Sequence, residues 1–136
     1  MNTKGRRDFI KGSLILAGAA VAVRAVPAKA ATFPAGLIYT RETPGRWAGK
    51  EGTHAPVVTV AGGKVTIETP HPMSAPHFIV KHTLLTLEGK VLGEKTFTAA
   101  DPKPVSTYEL PAGFAGALWA TSFCNLHDLW LTEFTA

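Results

Sequence analysis

Beyond about position 53 the chain is written in short runs that alternate apolar and polar residues, each closed by glycine or proline. Val57-Val58-Thr59-Val60 and Val65-Thr66-Ile67-Glu68 flank Ala61-Gly62-Gly63-Lys64, and β-branched runs on either side of a glycine turn predict a hairpin. His77 to Leu87 predicts a longer strand, which Glu88-Gly89-Lys90 turns into Val91 to Phe97. In Ala99-Ala100-Asp101-Pro102-Lys103-Pro104 two prolines remove backbone donors and bias their predecessors away from helix, so this is a loop. Thr107-Tyr108-Glu109-Leu110, Gly116 to Phe123 and Leu129 to Phe134 complete a set of about seven strands, with no helix predicted among them. The expected fold class is an all-β sandwich in a single domain, with Phe78, Val80, Leu84, Leu118, Trp119 and Phe123 as its predicted core. Trp119 and Trp130 read as packing residues.

The N-terminus follows a different pattern. Met1 to Lys11 is polar and basic, Ser13 to Val23 is small and apolar, and Ala28-Lys29-Ala30 offers the small-x-small pattern of a cleavage site. The apolar run is too short to span a bilayer and ends at Arg24, so residues 1–30 read as an export signal, with no membrane anchor after cleavage. Arg6-Arg7-Asp8-Phe9-Ile10-Lys11 resembles the twin-arginine consensus, whose pathway carries folded proteins, often with a cofactor, to the periplasm. Residues 31–52, rich in Gly, Pro and Thr, form an irregular lead-in, and 53–136 form the β domain.

Charge changes meaning once the signal is set apart. Residues 1–30 hold six of the fourteen Lys and Arg and one acid, leaving eight bases against nine acids. A near-neutral domain gives no electrostatic case for nucleic acid or an anionic membrane as partner.

Candidate chemistry lies in the histidines and in the lone cysteine, Cys124. A single thiol has no intrachain disulfide partner and, in an oxidising compartment, survives by burial or by metal ligation. It stands three positions before His127, while His54, His71 and His77 fall near turn residues and prolines. Four imidazoles and one thiolate make a poor structural zinc cage, which usually holds two or more thiolates. They suit a redox metal, iron or copper, with five protein ligands leaving one octahedral position open. A blue-copper site usually needs a Met downstream of the Cys, and none follows Cys124. His82 shares strand parity with Phe78, Val80 and Leu84 and reads as a partly buried structural or strand-end histidine, not a ligand.

Gly-Thr-His54-Ala-Pro-Val, His71-Pro-Met-x-x-x-His77-Phe-Ile and Phe-Cys124-Asn-Leu-His127-x-Leu-Trp, in that order, resemble the superoxide reductase family, the iron-binding domain of neelaredoxin and desulfoferrodoxin. The resemblance runs from about His54 to Trp130 and implies an immunoglobulin-like sandwich holding one mononuclear iron, cycling between Fe(2+) and Fe(3+). It implies His54, His71, His77 and His127 in the equatorial plane with Cys124 on the axis, and superoxide as the substrate reduced to hydrogen peroxide. It also implies an external electron-donor protein, since the chain offers no second redox centre, and a homo-oligomer, a tetramer in many members. With one Cys in the sequence, the additional four-cysteine iron domain of desulfoferrodoxins is not expected here.

One departure bears on activity. The family commonly places Glu and Lys immediately before its first ligand histidine, where this chain has Gly52 and Thr53. Lys50 and Glu51, just upstream, are the candidate catalytic residues, although a solvated loop pair is the favoured reading of them. A module of the same fold that binds iron for sensing or electron transfer, without efficient superoxide reduction, is the alternative.

Overall fold

The computed structural model of the protein describes residues 21–22, 33–34 and 36–136. The export signal expected over 1–30 therefore lies outside the described residues, apart from Val21–Ala22. Among the described residues nine strands follow one another as β1 (Val21–Ala22), β2 (Ile38–Tyr39), β3 (Val57–Ala61), β4 (Lys64–Glu68), β5 (Ile79–Thr86), β6 (Val91–Thr96), β7 (Val105–Glu109), β8 (Ala117–Cys124) and β9 (Asp128–Thr135). They form two sheets, of order β1-β3-β4-β7 and β2-β9-β8-β5-β6. All pairings are antiparallel except that of β2 with β9. Among the described residues no helix is long and apolar enough to cross a membrane.

The seven strands expected from the alternation are all present. The β3–β4 hairpin closes on Gly62 and Gly63 with φ of 55° and 76°, a doubly left-handed turn that glycine enters without steric cost. Two features of the lead-in differ from expectation. Ile38–Tyr39 becomes the parallel edge strand β2, and Glu51–His54 winds into one helical turn, α1, after a 3-10 turn at Gly45–Trp47. Neither carries a long hydrophobic period, because each is held by tertiary packing: Tyr39, Ala55 and Trp130 form one buried cluster with Trp47 against it.

The main core lies between the sheets. Val58, Val65 and Ile67 of one sheet meet Leu84, Leu118, Ala120 and Phe134 of the other. Each large side chain buried there contributes about 1.5–3 kcal/mol. Leu84 and Leu118 are core residues as expected, whereas Phe78, Val80 and Trp119 are half-buried and Phe123 is 40% exposed. The cause is register. The β5–β8 pairing shifts between Ile79 and Lys81, so Val80 is the extra residue of a bulge and the inward positions change from Ile79 to His82 and Leu84. On β8 the inward face is Leu118, Ala120, Ser122 and Cys124, which turns Trp119 and Phe123 outward.

His82 is more deeply placed than its sequence context suggests, at 0% exposure. Its Nδ1 lies 2.8 Å from the Ser106 hydroxyl and its Nε2 2.8 Å from that of Thr69, which in turn meets Ser122 Oγ at 2.7 Å. Burial, with the nearby Lys95 charge, lowers its pKa to about 4.

Two predictions follow from this packing. A Cβ at Gly93 would lie 2.3 Å from Tyr108 Cδ1, so Gly93→Ala should cost about 1–3 kcal/mol in denaturant unfolding. Wild-type stability in that variant would contradict the Gly93–Tyr108 contact. His82 stays neutral in the fold down to about pH 4, while the unfolded chain takes up the proton near pH 6.5. Between those values the unfolded state binds more protons, so stability falls as the pH drops, by about 3 kcal/mol from this residue. Unfolding of metal-free protein at pH 7.5 and 4.5 should show this slope, and His82→Gln should lose that share of it.

Candidate metal centre

The expected donors meet at one end of the sandwich, each delivered by a short, over-determined segment. Cys124 ends β8 on its inward face, and three residues, Asn125, Leu126 and His127, reverse the chain into β9. The tightness of that hairpin places Cys124 Sγ 3.6 Å from His127 Nδ1. Asn125 ties the turn to the loop carrying His77: its amide donates to Pro76 O at 3.1 Å and its Oδ1 accepts from the Phe78 N–H at 3.0 Å. His77 is set by a reciprocal backbone pair with Ser74, 3.1 Å in each direction. His71, between two prolines, donates its N–H to Thr69 O at 2.7 Å.

His54 closes α1. Its Nδ1 faces the Lys50 carbonyl at 3.2 Å and the Thr53 hydroxyl at 2.8 Å. A proton on Nδ1 satisfies the carbonyl and leaves Nε2 as a bare lone pair turned to the cluster, an outer partner fixing the tautomer. Thr53 thus has a definite task here, in place of a charged one.

Around the site the donor atoms follow one another at nearly constant spacing. His54 Nε2 is 3.1 Å from His127 Nδ1, which is 3.0 Å from His77 Nε2, which is 3.0 Å from His71 Nε2. Cys124 Sγ lies 3.2 Å from His77 Nε2. The ligand atoms of His54, His77, Cys124 and His127 all lie within 4.8 Å of one another, and His71 joins them through His77. Nitrogens about 3 Å apart are what neighbouring ligands show around one ion at bond lengths of about 2.1 Å. The donor set, mostly imidazole with one thiolate, fits a redox-active transition metal.

The electrostatics suit a cation. Burial, then repulsion from neighbouring rings, lowers the His54 pKa to about 4, and burial likewise lowers His71 and His127. The rings are therefore neutral near pH 7, with lone pairs available. Burial pushes the Cys124 thiol up, opposed by the backbone N–H groups of Leu126 and His127 and by the Lys50 charge. A metal that displaces the thiol proton would restore the balance.

Lys50 and Glu51 part company. The Lys50 charge is felt at both Cys124 and His127, where it lowers the pKa of each. Glu51 turns back on its own segment, where Oε1 accepts the Gly49 N–H at 2.9 Å. Other contributors have no signal in the histidine and cysteine pattern. The Trp47 ring stands edge-on to His127 with centroids 4.6 Å apart, and its Nε1 donates to Asp128 Oδ2 at 3.0 Å. Asp128 adopts φ of 66°, a left-handed conformation that Asp tolerates better than most residues, and it also accepts from Arg46 at 2.6 Å. Trp130, fully buried, donates to His127 O at 2.9 Å, so it orients the turn as well as packing.

Comparison with known proteins agrees with this geometry. The desulfoferrodoxin family model matches residues 46–133. A single-residue variant of the superoxide reductase (neelaredoxin) from Ignicoccus hospitalis is 30% identical, with a TM-score of 0.65 over 73% of this chain and 92% of that one. The reduced superoxide reductase (neelaredoxin) from Archaeoglobus fulgidus is 28% identical, with a TM-score of 0.57 over 73% of this chain and 97% of its own. A superoxide reductase (1Fe-SOR) from Giardia intestinalis, at 24% identity and a TM-score of 0.56 over 62% of this chain and 98% of that one, shares the fold. Because the family model spans well over half of its length, this chain belongs to the desulfoferrodoxin family.

Proposed function

We propose that this protein reduces superoxide to hydrogen peroxide at one mononuclear iron held by His54, His71, His77, His127 and Cys124. The observation that carries the reading is the convergence of four imidazole nitrogens and one sulfur at contacts of 3.0–3.6 Å, in a chain of this family. Relatives of the same fold are named superoxide reductases.

Bound iron supplies the single electron that superoxide takes up, and two protons complete hydrogen peroxide. The chain supplies the rest. The lowered pKa values of His54, His71 and His127, and a sulfur facing the Leu126 and His127 N–H groups, leave lone pairs available to the ion. The Lys50 ammonium, whose field reaches Cys124 and His127, attracts the anionic substrate and stands ready to give a proton. Glu51, bonded to Gly49, serves the shape of α1. An external donor protein returns the electron. The twin-arginine-like N-terminus supports a periplasmic reaction in this reading, and resemblance to the family supports a homotetramer.

A second reading is favoured by Gly52 and Thr53, which bring neither an acid nor a base before His54. In it the protein binds iron for sensing or electron transfer. Mixing ferrous-loaded protein with pulse-generated superoxide separates the two. Reduction predicts rapid oxidation of the iron with one peroxide formed per superoxide consumed, while iron that stays ferrous leaves the second reading. Lys50→Met should slow the bimolecular step about tenfold and flatten its dependence on ionic strength. An unchanged rate and salt dependence would remove Lys50 from the reaction.

A further inference from the structure

Behind the histidines lies a polar network that the proposed reaction does not use. His82, Thr69, Ser106 and Ser122 are all buried, at 0%, 1%, 3% and 0% exposure, between the two sheets. A consistent set of donors runs from the Ser122 hydroxyl to Thr69, from the Thr69 hydroxyl to His82 Nε2, and from His82 Nδ1–H to Ser106, over contacts of 2.7, 2.8 and 2.8 Å. Apolar residues of similar volume would serve packing at least as well, since a buried polar group gains little beyond the hydrogen bonds it recovers.

The network has a particular destination. Thr69 is fixed at its side chain by His82 and Ser122, and at its backbone by a 3.1 Å N–H bond to Pro104 O. Its own carbonyl then receives the His71 N–H at 2.7 Å. Pro70 and Pro72 stiffen the two steps around His71, so a displacement of Thr69 is transmitted to that ring. His71 also stands outside the group of donor atoms within 4.8 Å of one another, meeting it at His77 Nε2 and, ring against ring, at His54. On the other side, Ser122 is one inward-facing step before Cys124 on β8. Two donor-bearing segments, one from each sheet, are thereby bolted together beneath the site.

We propose that His82 is a positioning residue for the metal centre, acting through Thr69 to hold His71, and through Ser122 to hold that loop in register with Cys124. The proposal rests on the ligand assignment above. It assigns to His82 a task distinct from ligation and from packing.

Anaerobic ferrous-iron binding, measured on the full chain by competition with a chromophoric chelator, tests it alongside the visible spectrum of the oxidised protein. His82→Leu and Thr69→Val should each weaken iron binding about 10- to 100-fold and shift the thiolate-to-metal absorption. Thr69→Ser, which restores the hydroxyl, should return both to wild type. Val65→Ala, a core cavity away from the network, should lower stability and leave both readouts in place. If His82→Leu does not fold, the contrast between Thr69→Val and Thr69→Ser decides. Unchanged affinity and spectrum in Thr69→Val overturn the proposal, as does an equal loss in Val65→Ala, which would trace the effect to global stability. Failure of the wild-type protein to bind iron is a separate outcome: it overturns the ligand assignment itself, and this inference with it.

Discussion

Lone pairs aimed at one another from about 3 Å are the constraint on which the rest of the structure depends. Imidazole nitrogens at 3.0–3.1 Å can share a proton pairwise, but a string of three such contacts with a thiol at its flank offers more acceptors than protons. Burial raises the cost of charging the rings, so protonation is a poor remedy near neutral pH. A single cation among His54, His77, Cys124 and His127, with His71 adjoining at His77, would satisfy these donors together. The surrounding construction makes sense as the means of holding that arrangement in place: a three-residue hairpin, a bulge at Val80 in the strand that follows His77, a proline on each side of His71, and a helical turn capped by Lys50, whose carbonyl fixes the His54 tautomer.

The fold provides that rigidity by separating duties. The Val58, Ile67, Leu84 and Phe134 core joins the middle of the sheets, while the end that bears the donors is joined by aromatic and polar contacts. Tyr39, Trp47 and Trp130 close one side around His54 and His127, with Asp128 bridging Trp47 and Arg46 at the turn. The His82 network closes the other, where Ile79, Phe97 and Cys124 also pack. Exposed ion pairs such as Lys64 with Glu109 add little to this.

Much of this was legible from the residues in order. Strand alternation and glycine turns located the seven longer strands, and the His and Cys pattern, with its resemblance to a family, singled out the five residues that the structure brings together at one end, because such side chains are few and chemically distinctive. What escaped depended on register and on tertiary contact. Val80 and Phe123 read as core until a bulge in β5 and the inward turn of Cys124 fixed the opposite parity. The helical turn Glu51–His54 is too short to show a period, and Trp47 and Arg46 approach His127 only after the lead-in folds back across the turn. His82 was readable as a non-ligand, but its full burial required knowing that Thr69, Ser106 and Ser122 converge on it from three other segments.

Iron K-edge X-ray absorption on the purified full chain addresses the central claim most directly, because it counts the atoms touching the metal. The account predicts one iron per chain, with a single sulfur and four imidazole nitrogens in the first coordination shell. A shell without sulfur, or a protein that acquires no iron, would contradict it.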